Sequence, residues 1–316
     1  MKTKFVMMMA AAAMVLAACS NDEESDNWAG EIRLSSGLAV QQVTRAATDI
    51  QSGQFASGEN IDVFISEATT AGQAEATITH YDQPLVYTTA SGNGTMNPPT
   101  DNQPFFPTSN NGVNIYAVYP TNTASTWNGT TFTVASDQST DANYKVSDLM
   151  YGKPASNPVN RTSSATVLTF KHLLSKVTIT LELGTGNPNL NGAVVKLTGV
   201  YPSATVTKET GTAVLNEDKT ASITVMNAAS SALSGSAVVI PQTLATSFIE
   251  VKLVNGGVLT SQSLKDGSSN PIESVVLTSG NEYKYTIKVN LTSLDVTSTI
   301  TPWNETTATG EATMGN

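Results

Sequence analysis

Residues 282–292 alternate without a break: Tyr283, Tyr285, Ile287, Val289 and Leu291 stand between Glu282, Lys284, Thr286, Lys288, Asn290 and Thr292. Successive side chains of an extended chain point to opposite faces, so this spacing puts every apolar residue on one side. A helix would scatter them around its circumference. Residues 175–183 repeat the pattern with Val177, Ile179, Leu181 and Leu183. Shorter runs predict strands at 61–66, 113–119, 130–134, 166–170, 193–200, 221–225, 237–240, 248–254 and 274–278. Turn formers separate them, as at Gly92-Asn93-Gly94, Asn97-Pro98-Pro99 and Gly184-Thr185-Gly186-Asn187-Pro188. No segment beyond the N-terminal apolar run sustains a 3.6-residue period. Many short strands between turn signals predict an all-β chain built of antiparallel sandwiches.

The chain has 316 residues and one cysteine. No intrachain disulfide can form, so each domain must rest on its apolar core, which a chain of this length supplies for two domains. Charged residues make up only 13%, and Thr, Ser, Asn and Gly occupy the solvated positions instead, as suits an extracellular β-protein. The 16 basic residues face 26 acidic ones. Such a balance excludes a nucleic-acid partner, whose phosphates need clustered Lys and Arg. It argues equally against an anionic membrane surface. The polar run 153–164, with Pro154 and Pro158, sets the domain boundary: 30–163 for the first sandwich and 164–316 for the second. That cut can move by ten or more residues, because a strand near Phe170 can pair with either side.

The N-terminus carries Lys2 and Lys4, then an apolar run over 5–15, then Leu16-Ala17-Ala18-Cys19. Such a stretch is too short to span about 30 Å of hydrocarbon and has the layout of a secretory signal. A cysteine at the cleavage point resembles the lipobox of bacterial lipoproteins. The resemblance implies that residues 1–18 are removed and that Cys19 carries the acyl chains, palmitate among them. Loss of 1–18 leaves 14 basic against 26 acidic residues, a net charge of -12. An ordinary signal peptide with an incidental cysteine is the plainer alternative. Residues 20–26 are acidic and polar, so 19–29 reads as a solvated tether. The run also resembles the signal that sends Bacteroidetes lipoproteins to the outer face of the outer membrane, although any lipoprotein has a polar tether.

Catalytic and metal chemistry find little support. His80 and His172 are far apart and lack a nearby carboxylate pattern, whereas a zinc site needs three or four ligands. His172 reads as a residue at the mouth of a strand and His80 as a loop residue. Asp137 and Asp141 lack the acidic density of a calcium loop. No Gly-x-Ser-x-Gly elbow or phosphate-cradling loop is present. The chain is therefore expected to be no enzyme and to hold no cofactor, with the separation of paired carboxylates left open. Trp28, Trp127 and Trp303 would serve as sugar-stacking platforms or, more plainly, as core.

Several segments together resemble the fimbrillin (Mfa-like) family of Bacteroidetes pilins and fimbria-associated lipoproteins. They are Val43-Thr44-Arg45-Ala46, then Phe55-Ala56-Ser57-Gly58-Glu59-Asn60-Ile61-Asp62-Val63-Phe64, Ile115-Tyr116-Ala117-Val118-Tyr119-Pro120 and Asp148-Leu149-Met150-Tyr151-Gly152. Phe170-Lys171-His172-Leu173-Leu174-Ser175-Lys176-Val177-Thr178-Ile179, Val239-Ile240-Pro241-Gln242-Thr243, Tyr283-Lys284-Tyr285-Thr286-Ile287 and Ile300-Thr301-Pro302-Trp303 follow in order. The resemblance implies two transthyretin-like sandwiches in tandem, lipoprotein export, assembly into fimbriae by strand exchange, and proteolysis after an arginine near the N-terminus. Arg45, before Ala46, best matches that position, since Arg33 falls within the expected first strand, 31–43. Ile32, Leu34, Leu38, Val40 and Val43 would line the inner side of that strand, with a bulge or bend at Ser35-Ser36-Gly37. Its loss would open an apolar groove to a neighbour's strand. The expected donor is 291–303, with Leu291, Leu294, Val296 and Ile300 as its apolar side chains. The polar tail 304–316 adds no further apolar strand, which leaves stalk and tip or accessory roles both open. Expected partners are other fimbrial subunits, the outer membrane through the lipid, and a host or bacterial surface ligand. The alternative is a surface glycan-binding lipoprotein of a polysaccharide-uptake system.

Overall fold

The structure, a computed structural model, describes residues 28–38, 55–68, 76–77, 84–90, 94–121, 130–207, 210–254, 257–261, 264–265 and 271–302. The first half runs through β1 (Leu34–Leu38), β2 (Asn60–Glu67), β3 (Ala76–Thr77), β4 (Leu85–Thr89), β5 (Thr95–Asn97) and β6 (Val113–Tyr119). Next come β7 (Thr130–Thr133), the helix α1 (Asp141–Val146), β8 (Met150–Lys153) and β9 (Thr166–His172). The chain continues through β10 (Ser175–Leu183), β11 (Val194–Val200), β12 (Ser203–Thr207), β13 (Thr212–Asn216), β14 (Ala221–Met226) and β15 (Ser234–Val239). Short strands follow: β16 (Thr243–Ala245), β17 (Ile249–Lys252), β18 (Val258–Thr260), β19 (Leu264–Lys265), β20 (Pro271–Ile272) and β21 (Ser274–Val276). Two long ones close the described chain, β22 (Asn281–Val289) and β23 (Leu294–Pro302). Among the described residues the protein is all-β apart from α1. That helix, six residues long and capped by the Thr140 hydroxyl, buries only Tyr144, so it leaves no 3.6-residue signature in the sequence.

The first sheet is ordered β3-β2-β4-β5-β1-β9-β8-β6, and β6 pairs again with β2. All its strands but β3 therefore form a closed ring, which removes the free edges that an open sheet would expose. Ile61, Val63 and Ile65 of β2, and Ile115, Ala117 and Tyr119 of β6, turn into the ring with Leu85, Tyr87, Met96, Leu168 and Phe170. The alternate residues Phe64, Tyr116, Val118 and Tyr151 face a second, larger core instead. Burial on both faces explains why β6 is buried at all seven positions and reads as an apolar run broken only by Asn114.

The second core lies between a six-stranded sheet, β15-β10-β22-β23-β19-β20, and a four-stranded sheet, β14-β11-β17-β18. The strands predicted at 175–183 and 282–292 appear as β10 and β22, with Val177, Ile179, Tyr283, Tyr285, Ile287 and Val289 buried. Pairing is not uniformly antiparallel as expected. β1 runs parallel to β9, β10 to β22 and β19 to β23. The first two pairs join strands from distant parts of the chain, whose long connections permit the crossover a parallel pair requires.

The boundary expected between 163 and 164 does not coincide with the sheets. β9 belongs to the first ring through β1 and β8, and the chain passes to the next sheet between His172 and Ser175. Conversely β7, from the first half, pairs with β12. Polar, Pro-containing composition marks 153–164 as an excursion between β8 and β9, not as the crossing between sheets.

Candidate functional site

The expected first strand, 31–43, is observed as the five-residue β1, preceded by a single bridge between Glu31 and Phe105. Residues 39–43, including Val40 and Val43, lie outside the described residues. β1 sits between two partners. It is antiparallel to β5 at Leu34↔Met96 and Ser35↔Thr95, and parallel to β9 from Leu34↔Thr166 to Leu38↔Phe170. Among the described residues it is the sole link between β5 and β9, and so the stave that closes the ring.

Alternation aims Ile32 and Leu34 into the core, at 1% and 2% exposure, and leaves Arg33 outside. Burying two such side chains contributes about 3–6 kcal/mol. The register along β9 runs unbroken through Ser35-Ser36-Gly37, with no bulge. Small residues stand there because neighbours approach closely. The Ser36 amide and hydroxyl both donate to the Gly94 carbonyl, at 2.6 and 3.1 Å. Gly94 has a positive φ of 71°, and a Cβ there would sit 2.5 Å from the Ser36 carbonyl oxygen. A Cβ on Gly37 would meet Val167 at 3.3 Å.

The segment leading into β1 is held at several points. The Trp28 indole donates to the Glu31 carbonyl at 2.9 Å, and the Arg161 guanidinium lies 4.8 Å over the same ring. The Ile32 amide donates to Pro104, and the Phe106 amide to Gly30. Trp28 packs edge-on against Phe106, so it serves as a half-buried packing residue. Trp127 and Trp303 lie outside the described residues.

At its far end β1 reaches Phe170, where Leu38 stands in register. The next described residue, Phe55, packs edge-on against that same Phe170 with ring centres 4.9 Å apart, and against Tyr119 at 5.2 Å. Glu59 then takes a hydrogen bond from the Tyr119 hydroxyl and an ion pair from Lys145. Arg45 and Ala46 fall between Leu38 and Phe55, outside the described residues, as does Cys19.

Of the donor candidates, Leu294 and Val296 are buried in β23, at 7% and 3% exposure, while Leu291 and Ile300 are exposed. β23 pairs with β22 along its whole length, from Asn281↔Pro302 to Val289↔Leu294. It stands in the six-stranded sheet, so the structure does not bring these residues to β1 within the chain.

Two features escaped the sequence. His172, read as lacking a carboxylate, has its Nδ1 2.8 Å from the Asp148 carboxylate, with both side chains almost wholly buried. The two residues stand on different sides of a strand connection, so no local spacing announced them. Gln138, equally buried, bonds the main chain of Val238 from a hundred residues away. His80 lies outside the described residues. Among the described residues no group of three or more His, Cys, Asp or Glu side chains converges. Asp137 spends its carboxylate on the Ser139 hydroxyl and amide, and those bonds hold its pKa below the ordinary value.

A family model described as fimbrillin-like matches residues 44–303. No curated protein matches the chain. Among solved structures, a protein from Bacteroides uniformis named for a proposed role in cell adhesion is 20% identical. The match covers 87% of this chain and 98% of that one, with a TM-score of 0.63. A second such protein, from Bacteroides ovatus, is 18% identical over 86% of this chain and 97% of its own, with a TM-score of 0.66. At these identities the likeness is one of fold.

Proposed function

The chain belongs to the fimbrillin-like family, and from that premise we propose that it is a structural, tip or accessory subunit of a surface fimbria with a role in adhesion. It is exported as a lipoprotein acylated at Cys19 and displayed on the outer membrane. Cleavage between Arg45 and Ala46 then separates β1 from the rest of the subunit, and a neighbour's strand takes its seat. The observation that carries this reading is the position of β1: it alone joins β5 to β9 among the described residues. Its departure would leave two strand edges and the sites of Ile32 and Leu34 open at once. Unpaired edges beside an apolar groove are what an added strand satisfies. The family match begins at residue 44, so β1 lies before it.

The proposed donor is 291–303, which contains β23 and carries Leu291, Leu294, Val296 and Ile300. Its ladder on β22 must be given up before it can serve a neighbour, so exchange is favourable only where a vacant β1 seat offers a replacement ladder. Cleavage at Arg45 leaves β1 held only by its pairing to β5 and β9, so that it can depart and vacate that seat. Limited trypsin treatment of the precursor, followed by unboiled electrophoresis, should give a ladder of polymers whose subunits begin at Ala46. Arg45→Ala should remain a lipid-bound monomer. A normal ladder from that variant, or shed fibres whose subunits still begin at acylated Cys19, would overturn the cleavage step.

A further inference from the structure

Between β14 and β15 the second core has an open side, and a segment from the first half of the chain covers part of it. The Gln138 amide donates to the Thr224 carbonyl at 2.9 Å, and the Thr224 amide to the Ser136 carbonyl at 2.8 Å, which extends the edge of β14. The Gln138 side chain serves the edge of β15. Its Nε2 donates to the Val238 carbonyl at 2.9 Å, and its Oε1 accepts from the Val238 amide at 2.8 Å. A primary carboxamide, with donor and acceptor side by side, thus fills the place of a further strand.

The same edge continues past Gln138. In an antiparallel ladder, residues turn their N–H and C=O alternately toward the partner and away from it. Leu233 is turned toward β10, since its carbonyl accepts from the Leu181 amide at 2.7 Å. Val238 is turned outward to Gln138, and Ser236, two residues before it, is turned the same way. Its N–H and C=O therefore face away from β10, and Ser236 lines a cavity of about 280 Å³ adjoining Gln138. Ser139, Asp141, Ser230 and Ser234 form polar walls, with Val225 and Met226 as an apolar base. The volume is below the range of drug-sized sites and suits a ligand of amino-acid size.

We propose that this cavity binds the side-chain carboxamide of a glutamine or asparagine, which pairs with Ser236 as Gln138 pairs with Val238. The methylene stem would rest on Val225 and Met226. A carboxylate of the same shape is rejected, because it has no hydrogen to give the Ser236 carbonyl and it meets Asp141. The ligand is either a free amino acid, whose ammonium Asp141 would attract, or a residue within a peptide.

Amide NMR titration of the labelled protein separates these cases, using L-glutamine, its blocked N-acetyl N-methylamide, and L-glutamate. Saturable movement of the Ser236 amide is expected with a glutamine form, at a dissociation constant of about 1 mM, and none with glutamate. Tighter binding of the free amino acid, weakened by Asp141→Ala, assigns the site to amino acids. Tighter binding of the blocked form, indifferent to that change, assigns it to peptides. Ser236→Pro removes an outward N–H that the β10 ladder does not use, so the fold should persist and binding should be lost. Should that variant not fold, Ala232→Phe, at an exposed position on the cavity wall, should abolish the response by filling the space. Equal response to glutamate, absence of saturation with either glutamine form, or undiminished binding in a folded Ser236→Pro or Ala232→Phe variant would overturn the proposal.

Discussion

Lys176 and Glu282 stand opposite each other on the parallel pair β10 and β22. Period-two alternation assigned both to the polar face, and it could not show that they would meet, because register between distant strands is set by tertiary packing. The Lys176 ammonium lies 3.4 Å from Glu282, Lys284 lies 3.3 Å from its other oxygen, and the Thr178 hydroxyl donates at 2.9 Å. Burial pushes the Glu282 pKa up, but Lys176, Thr178 and Lys284 together outweigh it and leave the pKa below the ordinary 4.5. A depressed folded-state value means that the stabilisation is complete above 4.5 and is lost as pH falls through the folded value. Glu282→Gln should therefore cost about 2 kcal/mol near neutrality, shrinking toward nothing in acid; urea midpoints at neutral and acid pH would check it. A gap that stayed constant with pH would refute the assignment. The His172–Asp148 pair is a second residue-level case, hidden from sequence by a separation of 24 positions. His172→Ala withdraws a bond from a buried carboxylate and should cost about 1–3 kcal/mol by the same measurement.

The long alternating strands β10 and β22 were legible because one buried face imposes a strict period. Several elements of two to five residues, β5 and β8 among them, were not, since so few positions carry no period, although β7, β17 and β21 fall within the strands expected at 130–134, 248–254 and 274–278. β1 is intermediate: Leu34, and Ile32 just before the strand, were readable as apolar, but Ser35-Ser36-Gly37 suggested a bend. The cause of those small side chains lies on other strands, where Gly94 and Val167 press against them. Gly94→Val tests this directly. It forces a branched side chain into a positive φ and against the Ser36 carbonyl, strain of about 1–3 kcal/mol. The expected outcome is faster amide exchange at Ser36 with the second core unaffected. Exchange unchanged at Ser36 would mean that β1 does not depend on the close approach of β5.

At the scale of the molecule, composition suggested two sandwiches cut at a polar linker, yet the contacts cross that cut in both directions. β9 closes the first ring, whereas β7 pairs with β12, and Phe132, Tyr144 and Tyr151 pack in the second core. Nothing local could have revealed this, because pairing partners more than seventy residues apart leave no mark on either segment alone. Gln138 shows its energetic weight: the side chain satisfies both main-chain groups of Val238, and removing it leaves a buried donor and acceptor unpaired. Each such group costs about 1–3 kcal/mol, so Gln138→Ala should destabilise by roughly 2–6 kcal/mol. With shifts of about 2 °C per kcal/mol, the low end of the range for smaller chains, calorimetry should show a melting point lower by ~4–12 °C. Because the segment couples first-half residues to both edges of the open side, the native protein should melt in one transition. Two resolved transitions in the native protein would mean that the halves unfold independently and that the crossing segment does not bind them into one cooperative unit.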